Sequence, residues 1–476
     1  MLISFVALYL LFSIALGIFA ATKVHNSKDY ITAGRQLPIY MVIAMVFATW
    51  FGAETVLGIP GTFVDENLGG LISDPFGASF CLIFFALFFA KALYRKNLLT
   101  IGDFYRDRFS QKVEVAVGIA IAISYLGWVS AQVTALGLVI HVLTQELVSM
   151  NAGIGIGAAI VLIYTLFGGM WSVAITTFVQ MLVIVVGLVW IGFLVSDMTQ
   201  GVAPVIEHAA AAGKFEFWPE LSWPAVITFI AGFLTMALGS IPQQDVFQRA
   251  NASKNESIAV WGTLLGGVAY FFFAAVPLYL AYSAFIIAPD VSAQLSAKDP
   301  QLVLPSMILN HLPVYAQIIF FGALLSVIMS TASGTLLAPA VTLSENVIKP
   351  LLPQRLKDTE FLWLTRGTVA LFAILVAVYA LWSQTQATSI HHMVENAYKV
   401  TLVMALVPLV AGIYCSKANN NGAIMAIALG VVVWIPMEFI APEGPVPPHF
   451  YGFIAAIVGM VIGSLFKQEK SILMAD

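Results

Sequence analysis

The chain has 476 residues, of which 60% are hydrophobic and 10% charged, with a formal net charge of −4. Its mean hydropathy of +0.93 implies more apolar surface than a water-soluble core can hide, so a polytopic membrane protein is expected. The charges form no basic stripe, which excludes a nucleic-acid binder. The two cysteines, Cys81 and Cys415, lie in apolar runs and supply neither a disulfide framework nor a metal knuckle.

Hydropathy divides the chain into thirteen expected transmembrane helices, about 2–22, 39–65, 70–93, 113–143, 151–168, 170–195, 223–243, 258–287, 314–347, 367–384, 396–415, 422–441 and 450–466. The first lacks a basic leader and no cleavage site follows it, so it reads as a retained helix. Alternate connecting segments, 23–38, 91–112, 244–257, 348–366, 416–421 and 467–476, carry 3, 6, 2, 4, 1 and 2 lysines and arginines, 18 of the chain's 21. The positive-inside rule then places the N-terminus outside and the C-terminus in the cytoplasm of a multi-pass cell-membrane protein. No long polar linker or low-complexity tract interrupts the spans, and no soluble module is expected after residue 466.

In the second span, ATWFGAETVLGIPG (Ala48 to Gly61) is interrupted by glycine and proline, with the break expected at LGIPG, Leu57 to Gly61. The seventh span, of opposite orientation, is interrupted at LGSIPQQ, Leu238 to Gln244. Paired interruptions in opposed halves point to a binding site, because freed carbonyls and half-helix ends face a cavity rather than lipid. The ninth span holds SVIMSTASG, Ser326 to Gly334, which sets Ser330 and Thr331 side by side at bilayer depth. A buried hydroxyl without a partner costs about 1–3 kcal/mol. Bonding back to its own helix is one remedy, and a bare cation that needs oxygen ligands is another. Beside a broken helix, the hydroxyl pair makes a sodium-sized oxygen cage.

Other polar residues carry less. His141, His391 and His392 have no acidic partner at metal spacing. No nucleophile stands with a base and no phosphate-binding loop is present, so neither an enzyme nor an organic cofactor is expected.

Three separated motifs carry a resemblance: YTLFGGMWSVAITTFVQ (Tyr164 to Gln180), GSIPQQDVFQR (Gly239 to Arg249) and FGALLSVIMSTASGTLLAPA (Phe321 to Ala340). In this order, and with thirteen spans, the chain resembles the sodium:solute symporter family, nearest to its choline- and proline-type branches. The resemblance implies an all-α leucine-transporter-type fold, in which a five-plus-five inverted repeat (39–195 and 223–415) is preceded by one extra helix (1–38) and followed by two (416–476). It also implies a sodium site made by the carbonyls of Ala48, Phe51 and Val327 with the hydroxyls of Ser330 and Thr331. Some members hold a second sodium partly on an acidic residue at the position of Thr177. Threonine there removes the charge that offsets ion dehydration, so one sodium per cycle is expected.

By the same resemblance the substrate site lies among Trp50, Glu54, Trp128, Gln132, Gln243 and Gln244. Two tryptophans and an acid suit an ammonium head group, which an aromatic face attracts by about 0.5–2 kcal/mol. An acid at this position also occurs in sugar and sialic acid members, so an amino acid, a sugar or a carboxylate stays open as the solute. Asp245 is assigned to an inner gate together with Arg249, although charges at a membrane face are ordinarily solvated. A sodium-coupled symporter importing a small organic solute fits all of these features. Proton coupling through Glu54 and a transporter-like sensor are the alternatives.

Overall fold

The structure, a computed structural model, describes residues 2–352, 356–385, 390–442 and 444–466. Apart from one bridge between Leu37 and Ser253, these residues form helices and their connections. In chain order the principal helices are α1 (Leu2–Ala21), α2 (Ile39–Trp50), α3 (Glu54–Glu66), α4 (Gly69–Tyr94), α5 (Ile101–Arg108), α6 (Gln111–Leu143), α7 (Met150–Ile163) and α8 (Gly168–Met198). They continue as α9 (Trp223–Ala237), α10 (Gln244–Asn251), α11 (Glu256–Ile287), α12 (Val314–Leu351), α13 (Asp358–Gln384), α14 (Ile390–Tyr414), α15 (Asn420–Ile440) and α16 (Pro448–Leu465).

Among the described residues ten helices are long and apolar enough to cross a membrane, eleven if the bent pair α2 and α3 counts as one span. The thirteen expected spans are therefore not all recovered by length and hydropathy. The fifth runs without a loop into the sixth, and the seventh stops short at its break, which leaves the shorter apolar helices α7 and α9. At the start of α8 the chain turns at Gly169 (φ 49°, ψ −141°). A Cβ there would stand 2.4 Å from the Tyr30 carbonyl, so this turn requires glycine.

The first break differs from the expected one. Helix α2 ends at Phe51 (φ −76°, ψ 75°) and α3 starts again at Glu54, bent by 53°. The break thus falls at Phe51–Ala53, whereas Leu57 to Gly61 stay helical. A π-helical stretch, Glu54–Gly58, precedes Pro60 and leaves it in the first turn of the following α segment. There the missing amide costs no helical bond. The second break is where the sequence puts it, with α9 ending at Ala237 and α10 starting at Gln244.

The two ends of the bundle differ. At the lysine-rich end Arg106 binds Asp103 (3.0 Å) and Glu114 (3.1 Å), and Asn346 donates to Glu114 (2.8 Å), which ties α5, α6 and α12 together. The lysine-poor end is indented by two cavities of ≈ 530 and ≈ 630 Å³ that share Glu66 and His392 as lining residues. His392 there faces Glu395 at 3.6 Å, an acidic neighbour that the sequence reading did not credit to it. Helix α1, outside the expected repeats, is joined to α12 by a hydrogen bond between the Tyr9 and Ser326 hydroxyls.

Candidate binding site at the broken helices

The break in α2–α3 redirects specific backbone groups. The Gly52 amide bonds to the Trp50 carbonyl (2.8 Å) rather than to Ala48, and the Thr55 amide bonds to Gly52 (3.2 Å) rather than to Phe51. The carbonyls of Ala48 and Phe51 thereby lose their helical donors at bilayer depth, where an unpaired carbonyl is costly. Thr331 meets both, its hydroxyl lying 3.1 Å from the Ala48 oxygen and 3.3 Å from the Phe51 oxygen. Ser330 bonds back to the Val327 carbonyl (2.9 Å). All five residues expected at the oxygen cage are buried and lie where α2 crosses α12.

Next to the cage stands an aromatic cluster with one carboxylate. Trp50 and Trp128 stack with centroids 5.0 Å apart, and Tyr398 meets both edge-on at 5.3 and 5.6 Å. Tyr125 stacks on Trp128 from the other side at 5.7 Å. Glu54 is fully buried and accepts from Gln132 Nε2 (2.6 Å) and Trp128 Nε1 (3.3 Å). Gln132 Oε1 in turn accepts the Ala53 amide (3.0 Å) that the break exposes. One side chain therefore holds both the carboxylate and the loose end of α3. Because the indoles touch, no head group fits between them in this conformation.

The second break contributes unevenly. Gln243 donates to Ser124 (2.9 Å) and Thr401 (3.3 Å), and Thr401 caps the Gly239 carbonyl (2.6 Å). Gln244, expected beside the substrate, instead accepts from the Ile101 amide (2.8 Å) at the start of α5 and faces the lysine-rich end. Asp245 and Arg249 are not solvated loop charges, since both are 1% exposed, because the short helix α10 is tucked beneath the aromatic cluster. Asp245 accepts from the Tyr125 hydroxyl and lies 3.8 Å from Arg249 Nη1. The Thr177 hydroxyl is buried and has no hydrogen-bond partner.

Sequence reasoning missed Tyr125, Tyr398, Ser124 and Thr401. The spacing i, i+3 of Tyr125 with Trp128, and of Tyr398 with Thr401, was the available signal. Among the described residues no group of three or more histidines, cysteines and acids is placed to hold a metal ion.

Residues 30–430 match the profile of the sodium:solute symporter family. High affinity choline transporter 1 of Homo sapiens is 26% identical over 451 residues, covering 91% of this chain and 76% of that protein. The osmoregulated proline transporter of Bacillus subtilis is 23% identical over 492 residues, covering 98% and 94%. Among solved structures, a Na+-coupled sialic acid symporter in its substrate-bound outward-open state aligns with a TM-score of 0.82 over 98% of both chains at 17% identity. A nucleobase-cation-symport-1 family transporter in a closed conformation aligns at 0.58 over 91% of this chain and 93% of its own, with 15% identity. Both structures share the fold.

The Gln132 arrangement makes a prediction about stability. Gln132→Leu leaves the Glu54 carboxylate with the Trp128 indole alone and strands the Ala53 amide, and a buried polar group left unpaired costs about 1–3 kcal/mol. The variant's thermal unfolding midpoint in detergent should fall well below that of the wild type, whereas Ser130→Ala, which loses a single bond to the Val376 carbonyl, should fall far less. Equal midpoints for Gln132→Leu and the wild type would contradict the bridging role.

Proposed function

The chain belongs to the sodium:solute symporter family, whose coupling ion is sodium, and from that premise we propose that it imports a small ammonium-bearing solute, a quaternary amine or an amino acid, together with one sodium ion by alternating access. Sodium occupies the cage of Ala48, Phe51, Val327, Ser330 and Thr331. The observation that carries this is the pairing of two released carbonyls with a single hydroxyl. Oxygens about 2.4 Å from a cation of calcium or sodium size lie about 3.4 Å apart when at right angles, close to the 3.1 and 3.3 Å separations around Thr331. Thr331 bridges these oxygens with a proton, and the ion replaces that bridge.

Residues 39–195 and 223–415 act as the inverted repeats, and the breaks at Phe51–Ala53 and Leu238–Gln243 are their counterpart hinges. Thirteen crossings, with the N-terminus outside and the C-terminus in the cytoplasm, follow if α7 and α9 also span. The cavities then open to the outside, while the Asp245–Arg249 pair and the Arg106 cluster close the inside, with Asp245 as part of the inner gate. Sodium and solute share the segment from Ala48 to Glu54, so an ion that fixes it prepares Trp50 and Glu54 for the solute, and the coupling is reciprocal.

For the solute, Glu54 is neutralised by an ammonium group, and the head group parts Trp50 from Trp128, replacing their stacking with cation–π contact. A second reading has its own observation. Trp50 Nε1, the Tyr398 hydroxyl and Gln243 Oε1 are buried without hydrogen-bond partners, and these neutral groups suit a hydroxyl-rich solute such as a sugar.

Removing one of about five oxygen ligands costs on the order of 1–3 kcal/mol, so Ser330→Ala and Thr331→Val should raise the half-saturating sodium concentration about tenfold or more. Unaltered sodium dependence of uptake in both variants would exclude the cage. The lack of a carboxylate at Thr177 leads to the expectation that charge and tracer fluxes recorded together give one sodium per solute; two would require a further ion site. Trp50→Ala and Trp128→Ala should each lose roughly 0.5–2 kcal/mol of solute binding, and Glu54→Gln should harm ammonium ligands more than neutral analogues. Competition by choline-like, amino acid, sugar and carboxylate solutes decides between the two readings, and the ammonium reading fails if sugars compete while ammonium compounds do not.

A further inference from the structure

Arg249 lies closer to the oxygen cage than a gate at the membrane face would. An ideal Cβ on Gly334 would stand 2.2 Å from Arg249 Nη2, so the guanidinium rests directly on the backbone of α12, and any larger residue at 334 would displace it. Gly334 follows Thr331 by three residues, about 4.5 Å along the helix. The charge is thus held within about one turn of the hydroxyl that meets Ala48 and Phe51.

That charge is incompletely neutralised. Neither Nη1 nor Nη2 of Arg249 has a hydrogen-bond partner, although the residue is 1% exposed. The nearest carboxylate oxygen, Asp245 Oδ2, stands 3.8 Å from Nη1, beyond hydrogen-bonding distance. The other oxygen of Asp245 is engaged by the Tyr125 hydroxyl. Arginine cannot shed its proton, so the cation persists through the transport cycle.

We propose that Arg249 is a positioning residue that sets sodium affinity: its charge on Gly334 opposes an ion at Ala48, Phe51 and Thr331, and Asp245 moderates the opposition. The inference rests on the reading of that cage as the sodium site. A transporter must release its ion as well as bind it, and a fixed neighbouring cation weakens the site without removing an oxygen ligand. At low effective dielectric, like charges separated by about two helical turns or less still interact strongly enough to change occupancy severalfold.

The test is a sodium titration of the purified full-length protein, followed by tryptophan fluorescence and by thermal midpoint, so that binding is read without transport. Arg249→Gln should lower the half-saturating sodium concentration about three- to tenfold, Asp245→Asn should raise it by a similar factor, and Arg249→Lys should stay within about twofold of the wild type. Opposite shifts cannot come from a general loss of structure, which would weaken both variants. Shifts in the same direction, or no shift in either, overturn the proposal. If Arg249→Gln does not fold, an Asp245→Asn protein without weaker binding overturns it alone. Thr331→Val in the same titration separates the two claims. A wild-type sodium response in both this variant and Ser330→Ala refutes the cage itself, whereas its loss, with Arg249→Gln and Asp245→Asn unshifted, refutes only the role of Arg249.

Discussion

Two backbone carbonyls without helical donors, at a depth where water cannot serve them, set the terms for the surrounding structure. Once Gly52 turns its amide to Trp50 and Thr55 turns its amide to Gly52, Ala48 and Phe51 need partners from elsewhere in the protein. Thr331 supplies one hydroxyl to both. Thr55 takes the Trp50 carbonyl (2.7 Å), and Gln132 takes the amide of Ala53. Helices α6 and α12 must lie where they do for these bonds to form, so the break is a property of three elements packed together.

The same few residues join the two halves of the site. Ala48 and Phe51 alternate along the chain with Trp50 and Glu54, so the cage and the aromatic cluster are opposite sides of one unwound turn. Gln132 adds a mechanical link, because the amide that steadies the start of α3 also holds the carboxylate. On the proposed reading, an ion in the cage and a solute at the cluster act on one another over a distance of a few residues, and no relay through the bundle is needed. Beneath them the tucked helix α10 carries Asp245 and Arg249 into the protein interior, which places a charge pair between the site and the lysine-rich end.

How much of this was legible in the sequence depends on whether the signal was local. Ser330 and Thr331 stood out because adjacent hydroxyls in an apolar run need a reason, and the second break was readable because Gly239 and Pro242 interrupt the helix where it in fact ends. The first break was misplaced by about six residues. Pro60 looks like a helix breaker, yet a π-helical turn absorbs it, while the actual break is decided by Gln132, Thr331 and Thr55, two of them far away in sequence. Trp50, Glu54, Trp128 and Gln132 came from the family resemblance, and the structure brings them together, but the direct stacking of the indoles was not foreseeable from composition. Gln244 turns to the Ile101 amide rather than to the cluster, because neighbouring residues at a helix start point in different directions. The burial of Asp245 and Arg249 was missed because a charged segment between apolar runs reads as a solvated loop, and only the tertiary fold tucks it inside.

The most direct test is the density at the crossing of α2 and α12, compared between high-resolution structures of the protein prepared in sodium and in potassium. Sodium should add a peak coordinated by the Ala48 and Phe51 carbonyls and the Thr331 hydroxyl, absent in potassium. Identical density in both salts, with Thr331 still bonded to the two carbonyls, would contradict the account.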